Sequence, residues 1–287
     1  MRDFSGLLNT ITQGDCLEVM RDMPDKSVDL VITSPPYAER RRNTYGGIPT
    51  EEYVKWFLPI AYEIKRILKP TGSFFLNIKP HCDNGERVLY VFDLVLSLKR
   101  EVGFRYTDEF AWTKNGVPGR FNGRFKNAFE PVYHFTKKRG YTHNPYAVAI
   151  PTKEVSLKRA ERKASGESKN GSGLAGMREG HSFKGRKISL PSNHLHIPQA
   201  SNQHTIQSKH PAVFPEELPT FFIKAFSNEG DVVLDPFIGS GTTAVAAINT
   251  NRHFIGIEKE PEYVEIAKRR IDEALAKKEG DQSSDNY

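Results

Sequence analysis

The apolar pattern begins with a short run, Ser27-Val28-Asp29-Leu30-Val31-Ile32-Thr33, halted by Ser34-Pro35-Pro36-Tyr37. Such a run predicts a buried strand feeding a rigid turn, because proline fixes φ and cannot donate to a ladder. Residues 51–68 then carry Tyr53, Phe57, Ile60, Ile64 and Leu68 at helical spacing, with Thr50 placed as N-cap and Pro59 inside the pattern, where it is expected to bend the helix. Lys69-Pro70-Thr71-Gly72 predicts a stop and turn, and residues 73–78 the next strand. A further helix is predicted over 87–101 and strands over 106–113 and 131–136. From Tyr141 to about Gln207 the periodicity fades into a polar, basic stretch rich in Ser, Gly, Asn and His. Regular alternation returns with a helix over 215–226, a strand over 231–235, a glycine-rich turn, a helix over 242–249 and a strand over 252–258. The last helix is predicted over 261–278, with Tyr263, Ile266, Ala267, Ile271 and Leu275 facing the core, and the polar tail from Glu279 is expected to lack fixed structure.

Strands alternating with helices predict an α/β fold with a mainly parallel central sheet. Its two halves are read as residues 1–140 and 208–278, with 141–207 inserted between them and 279–287 as a tail. The inserted stretch is too long for an ordinary loop and is expected to be a small recognition region. Ligands collect at the carboxyl ends of strands in such sheets. The turns at Ser34 and Gly239 both lie just past such an end.

Composition narrows the class without choosing within it. Of 287 residues, 38% are hydrophobic and 26% charged, ordinary for a soluble globular protein. No apolar run approaches the ~20 residues needed to cross a bilayer, and the N-terminus lacks a secretory pattern, so a cytoplasmic location is expected. The two cysteines, Cys16 and Cys82, do not form a disulfide framework and are expected to be buried, reduced thiols. None of the nine histidines falls in a helical ligand pair, and no metal is expected. Residues 151–210 hold 11 Lys or Arg against 4 Asp or Glu, a local +7 inside a chain of +6, which leaves −1 for the remainder. A basic segment in a near-neutral body suits a polyanion partner, although a solvated loop would carry the same charge.

Two turns carry candidate chemistry. In the first, strand-Asp235-Pro236-Phe237-Ile238-Gly239-Ser240-Gly241-Thr242-Thr243-Ala244-helix, backbone N–H groups surround an anion-favouring space. Glu258 follows Gly239 by 19 residues at the end of the next strand, where an acid can bind both hydroxyls of a ribose. The run from Gly239 to Ala244 also matches a dinucleotide fingerprint with alanine in third place, so NAD is a competing ligand. Asp235 favours an adenosylmethionine, since it would bind an amino-acid ammonium that NAD lacks. In the second turn, Thr33-Ser34-Pro35-Pro36-Tyr37, the Ser34 hydroxyl and the Pro35 carbonyl can accept hydrogen bonds from an exocyclic amine. Such an amine is a weak nucleophile until drawn towards tetrahedral geometry and held in line. The Tyr37 ring offers a stacking face worth ~1–3 kcal/mol. Taken alone, those five residues equally describe an edge-of-sheet turn with a packed tyrosine.

Together, in this order, the turns resemble those of the beta-arrangement DNA amino-methyltransferases, and the resemblance spans most of the chain. Gln13-Gly14-Asp15-Cys16 is similar to the family's adenine-contacting segment. Glu63-Ile64-Lys65-Arg66-Ile67-Leu68-Lys69-Pro70-Thr71-Gly72 resembles its helix and turn, with Thr71 where a glycine is usual. Trp112-Thr113-Lys114 through Arg124-Phe125-Lys126-Asn127-Ala128-Phe129-Glu130 resembles the segment lining the base pocket. Lys209-His210-Pro211-Ala212-Val213-Phe214-Pro215 resembles the segment beside the methionine end of the cofactor.

The resemblance implies a Rossmann-like methyltransferase fold, with a catalytic half before the inserted target-recognition region and a cofactor half after it. It implies S-adenosylmethionine as cofactor, bound by Asp15, Cys16, Thr33, His210, Pro211, Phe214, Asp235, Phe237, Gly239, Ser240, Gly241, Thr242 and Glu258. Catalysis falls to Ser34, Pro35, Pro36 and Tyr37, acting on a base flipped from the duplex. Double-stranded DNA with a short recognition sequence is the implied partner, with a cognate restriction endonuclease and a homodimer as further partners. Arg40, Arg41, Arg42, Lys114, Arg124, Arg178 and Arg186 are candidate DNA contacts. Chains with Ser in the first motif position mostly modify cytosine N4, and those with Asp or Asn adenine N6. This implies a cytosine-N4-specific enzyme of a restriction-modification system, with N6-adenine methylation as the alternative. The absence of a Pro-Cys nucleophile argues against methylation at cytosine C5.

Overall fold

The computed structural model describes residues 4–39, 47–115, 123, 125–152, 188–198 and 215–284. These form two compact units. The larger comprises residues 1–144 and 193–287, and the smaller residues 145–192.

The larger unit is built on a sheet of eight strands. In chain order they are β1 (Thr10–Gln13), β2 (Val28–Thr33), β3 (Leu68–Asn77), β6 (Arg105–Thr113), β7 (Phe129–Thr136), β10 (His194–His196), β11 (Val232–Asp235) and β12 (His253–Glu258). A small hairpin of β4 (Cys82–Asp83) and β5 (Glu86–Arg87) stands apart, and β8 (Ile150–Pro151) pairs antiparallel with β9 (Ile188–Ser189) inside the smaller unit. The large sheet runs β1-β12-β11-β2-β3-β7-β6-β10. Strand β7 alone is antiparallel to its neighbours β3 and β6; the other pairings are parallel. The expectation of a mainly parallel sheet therefore holds. Strand β2 shows why its sequence is an unbroken apolar run: Val28, Leu30, Val31 and Ile32 are all buried, as in a central parallel strand covered on both faces.

Among the described residues six α-helices flank the sheet: α1 (Cys16–Asp22), α2 (Tyr53–Ile67), α3 (Tyr90–Arg100), α4 (Glu217–Phe226), α5 (Thr242–Asn249) and α6 (Pro261–Ser284). Alternation along β3 divides the core. Phe74 and Leu76 join Met20, Phe57, Ile64 and Leu94 of α1, α2 and α3. Phe75, pointing the other way, meets Phe222 and Phe226 of α4 at ring distances of 4.4 and 4.8 Å. No helix among the described residues is long and apolar enough to cross a membrane.

Several sequence expectations are corrected. Thr50 does not cap α2. It opens a 3-10 turn, Thr50–Glu52, and the cap residue Glu52 makes no side-chain cap bond. The helix becomes regular only where its buried stripe begins, at Tyr53, and it runs unbroken through Pro59. The helix stops at Ile67, as expected, but residues 69–72 are not a turn before the next strand and lie inside β3. Val28 pairs with Leu68 and Leu30 already with Ser73, so the predicted turn is an excursion from the ladder. Cys16 is buried, whereas Cys82, on a two-stranded hairpin, is only half-buried; neither is in a disulfide. The tail from Glu279 is helical to Ser284. Lys278 donates to the Ile248 carbonyl at 2.8 Å just before it, and with no proline following, the helix continues through Gly280. The inserted unit is narrower than residues 141–207. Thr142 donates its amide to the Thr71 carbonyl at 2.9 Å, Asn144 to that of Ala225 at 2.6 Å, and β10 extends the large sheet beside β6.

Candidate active site

Strands β2 and β11 are parallel neighbours, with Val233 opposite Leu30 and Leu234 opposite Val31. Their carboxyl ends therefore emerge side by side, and the turns that follow share one rim of the sheet. A direct bond joins them: the Thr33 hydroxyl donates to Asp235 Oδ1 at 2.6 Å, across 202 residues of sequence.

Asp235 is 1% exposed. Its Oδ1 also accepts from the Phe237 amide at 3.1 Å, and its Oδ2 from the Thr243 hydroxyl at 2.7 Å. Burial pushes its carboxyl up to about 6, against the pull of these donors and with a smaller push from the charge of Glu258. Three of the roughly four acceptor positions of a carboxylate are thus used, and Oδ2 retains capacity for a cation.

The glycine turn is shaped by two left-handed residues, Gly239 (φ 53°) and Gly241 (φ 85°). A Cβ on Gly241 would also stand 3.0 Å from the Ala267 Cβ on α6, so the turn needs glycine for both conformation and closeness. Glu258 is buried at the end of β12, its Oε2 accepting from the Gly239 amide at 2.9 Å and its Oε1 from the Glu260 amide at 2.9 Å. Ser240 and Thr242 are held from behind. Arg270 of α6 donates to the Ser240 carbonyl (2.8 Å), the Ser240 hydroxyl (3.2 Å) and the Thr242 hydroxyl (3.0 Å), and pairs with Glu216 at 2.7 Å. Across the rim, the Gly14 amide reaches the Glu258 carbonyl at 2.9 Å. Asp15 caps α1 through the Leu17 amide at 2.9 Å. Burial raises the thiol of Cys16 far above its usual range, with Asp15 adding to the shift, so it is an inert apolar group. Phe237 stands against the Trp56 ring at 5.8 Å.

On the other side of β2, Pro35 is buried and Ser34, Pro36 and Tyr37 are half-buried. The Tyr53 hydroxyl donates to the Pro36 carbonyl at 2.8 Å, pinning the proline turn to α2. Tyr37 donates its hydroxyl to Glu130 Oε2 at 3.2 Å. Glu130 Oε1 is in turn paired with the ammonium groups of both Lys79 and Lys114. Burial opposes the Glu130 charge, but the two lysines overcome it and hold the carboxyl below its ordinary range. Lys114 is therefore no surface cation. It is 7% exposed and lies over the Trp112 ring at 4.4 Å, which corrects its expected role as a DNA contact. Its short reach is already spent on Glu130.

The sequence reading missed Lys79, Tyr53 and Arg270 as site residues, and it held Glu130 and Thr243 only as members of the base-pocket segment and the glycine turn, with no role of their own. Glu130 left a trace, as a lone acid opening an otherwise apolar strand; Arg270 left none, since Arg269-Arg270 reads as an ordinary charged helix face. His210, Pro211, Phe214, Arg40, Arg41, Arg42, Arg124, Arg178 and Arg186 lie outside the described residues.

A sheet reversed only at β7, with an acid-led glycine turn and a proline turn side by side on its rim, is the architecture of a Rossmann-like methyltransferase. The family profile described as DNA methylase matches residues 28–269, and the chain belongs to that family, the N6/N4 DNA amino-methyltransferases. The type II methyltransferase M.PvuII of Proteus hauseri is 33% identical over 269 residues, covering 88% of this chain and 80% of its own. The DNA adenine methyltransferase YhdJ of Escherichia coli (strain K12) is 28% identical over 275 residues, covering 94% and 85%. Among solved structures, the PvuII DNA methyltransferase described as cytosine-N4-specific superposes with a TM-score of 0.70 at 28% identity, over 93% of this chain and 89% of that one. The M1.HpyAVI–SAM complex superposes with a TM-score of 0.56 at 24% identity, over 91% and 98%, a likeness of fold.

Proposed function

We propose that the chain transfers a methyl group to N4 of cytosine at a short specific sequence in double-stranded DNA. The Thr33–Asp235 bond carries this reading, because it holds the acid of the cofactor turn against the residue that opens the proline turn. The methyl donor is S-adenosylmethionine, which when bound supplies an electrophilic methyl group on a sulfonium. The donor set suits it: Asp235 offers a carboxylate to the amino-acid ammonium, Glu258 one to the ribose, and glycine at the two left-handed positions, 239 and 241, puts no Cβ there. The chain's own residues do the rest by position. Ser34 and the Pro35 carbonyl accept from the amine hydrogens and turn its lone pair outward. Pro36 is fixed by Tyr53, and the ring of Tyr37 backs the flipped base.

Serine in the first motif position and the likeness to M.PvuII support cytosine N4. The basic stretch 151–210, with Arg178 and Arg186, holds DNA phosphates and reads base edges, aided by Arg40, Arg41, Arg42 and Arg124. A cognate endonuclease, a homodimer and a cytoplasmic setting belong to the same reading, since M.PvuII is a type II methyltransferase. The test is to express the chain in a host without other methylases, digest the DNA and weigh the modified nucleosides. N4-methylcytosine is expected. N6-methyladenine alone would replace this assignment with the second reading, which the 28% identity to YhdJ supports.

A further inference from the structure

We propose that Tyr37 works through its hydroxyl as well as its ring, as the middle link of a one-way hydrogen-bond chain running from Ser34 to Glu130 that leaves the Ser34 oxygen an acceptor towards the target amine. The proposal rests on the methyl-transfer reading above.

A serine hydroxyl has one proton and two lone pairs. If the proton points at the target amine, two donors face each other and the lone pair of the nitrogen is not drawn forward. The serine must therefore give its proton elsewhere. Here Ser34 Oγ donates to Tyr37 Oη over a long 3.5 Å, and Tyr37 Oη donates to Glu130 Oε2 at 3.2 Å. The direction is fixed at the far end. An ionised carboxylate only accepts, and Lys79 and Lys114 both bind the opposite oxygen, Oε1, which leaves Oε2 to Tyr37. The lysines hold Glu130 ionised despite its burial, and burial together with the charge of Glu130 keeps Tyr37 protonated. Trp112 beneath Lys114 fixes that ammonium in turn. The three anchors come from separate places, just past β3, just past β6 and in β7, so the cluster is assembled by the sheet rather than by a local turn.

The same charges exclude a proton relay. Delivering the amine's proton to Glu130 would neutralise the anion between the buried ammonium of Lys114 and the half-buried one of Lys79, and its low proton affinity makes it a poor sink. Glu130 is thus a positioning residue, and the amine's proton leaves by another path.

The test is a double-mutant cycle on single-turnover methyl transfer, with saturating S-adenosylmethionine and methylase-free genomic DNA. Tyr37→Phe keeps the ring and removes only the hydroxyl. It is expected to lower the rate about tenfold, the loss of one hydrogen bond to a charged chain. Dissociation constants for cofactor and DNA should stay within about twofold. In a Ser34→Ala background the same change should add less than about twofold, because the link then serves nothing. Glu130→Gln should match Tyr37→Phe in rate, with a lower melting midpoint from its unpaired lysines; Tyr37→Phe decides the matter if that variant does not fold. An unchanged rate in Tyr37→Phe, or equal losses with and without Ser34, would overturn the chain. A wild-type protein that binds both substrates and methylates no base overturns the methyl-transfer reading too, and reveals itself before any variant is compared.

Discussion

Asp235 links protonation to both folding and binding. Its ordinary value of 3.8 rises to about 6 on burial. Between about pH 4 and pH 6 the folded chain therefore keeps a proton that the unfolded chain has released. A raised acid makes stability fall as pH rises through that window, by about 3 kcal/mol once it is passed. Cofactor binding runs the other way, since an ammonium needs the ionised carboxylate. Affinity for S-adenosylmethionine is expected to fall about tenfold per unit below about pH 6, and Asp235→Asn should be weak and flat. Calorimetric titration from pH 5 to 8 checks this, and an affinity constant down to pH 5 in the natural chain refutes it. At this scale the sequence revealed residues whose type is itself the signal, such as an acid before glycines or a serine before two prolines. It left Thr243 and Glu130 as unremarked members of their segments, because their roles come from what stands opposite them.

At the scale of elements, the glycine turn and α6 form one device. Gly241 lets α6 approach, and Arg270 reaches from it to the Ser240 carbonyl and to both hydroxyls behind the turn. Gly241→Ala forces a Cβ into a left-handed residue already 3.0 Å from Ala267, and is expected to destabilise by about 1–3 kcal/mol. Arg270→Met leaves buried acceptors without their donor and should cost about 2–4 kcal/mol. Urea midpoints measure both, and cofactor affinity should fall with them; an Arg270→Met chain as stable as the natural one would show the clamp idle. The turn was legible because its spacing is local. The clamp was not, because Arg270 lies 28–30 residues beyond its partners and nothing local marks an inward arginine. Residues 69–72 mislead for a related reason: Pro and Gly report a departure from the ladder, and whether the strand resumes beyond it is set by the neighbouring β2.

For the whole molecule, alternating strand and helix patterns gave the α/β class and the main strands and helices from β2 onward outside 141–207, but not β1, α1 or the β4–β5 hairpin. Pairing order and the reversal of β7 were out of reach, since periodicity says which face is buried and not which strand lies beside it. The charge reading also belongs here. With +7 concentrated in residues 151–210 of a chain of +6, DNA affinity is expected to fall steeply and linearly in log–log form between 50 and 200 mM salt, roughly one unit of slope per phosphate neutralised. Replacing Arg178 and Arg186 by Ala should flatten that slope by up to about two. A slope indifferent to both would move the DNA face elsewhere, and filter binding across a salt series decides it.

Strand order also has a consequence for synthesis. Strand β1 is made before the other strands of its sheet, yet its one neighbour there is β12, with Thr10 against Ile255 and Gln13 against Glu258. Strand β2 likewise keeps a bare apolar edge until β11 arrives. A nascent chain stalled before residue 232 thus displays half a sheet with its hydrogen-bonding edge open, the kind of surface that chaperones hold and that aggregates without them. The rim that carries the candidate site can therefore close only once β11 and β12 have been made and have paired with β2 and β1.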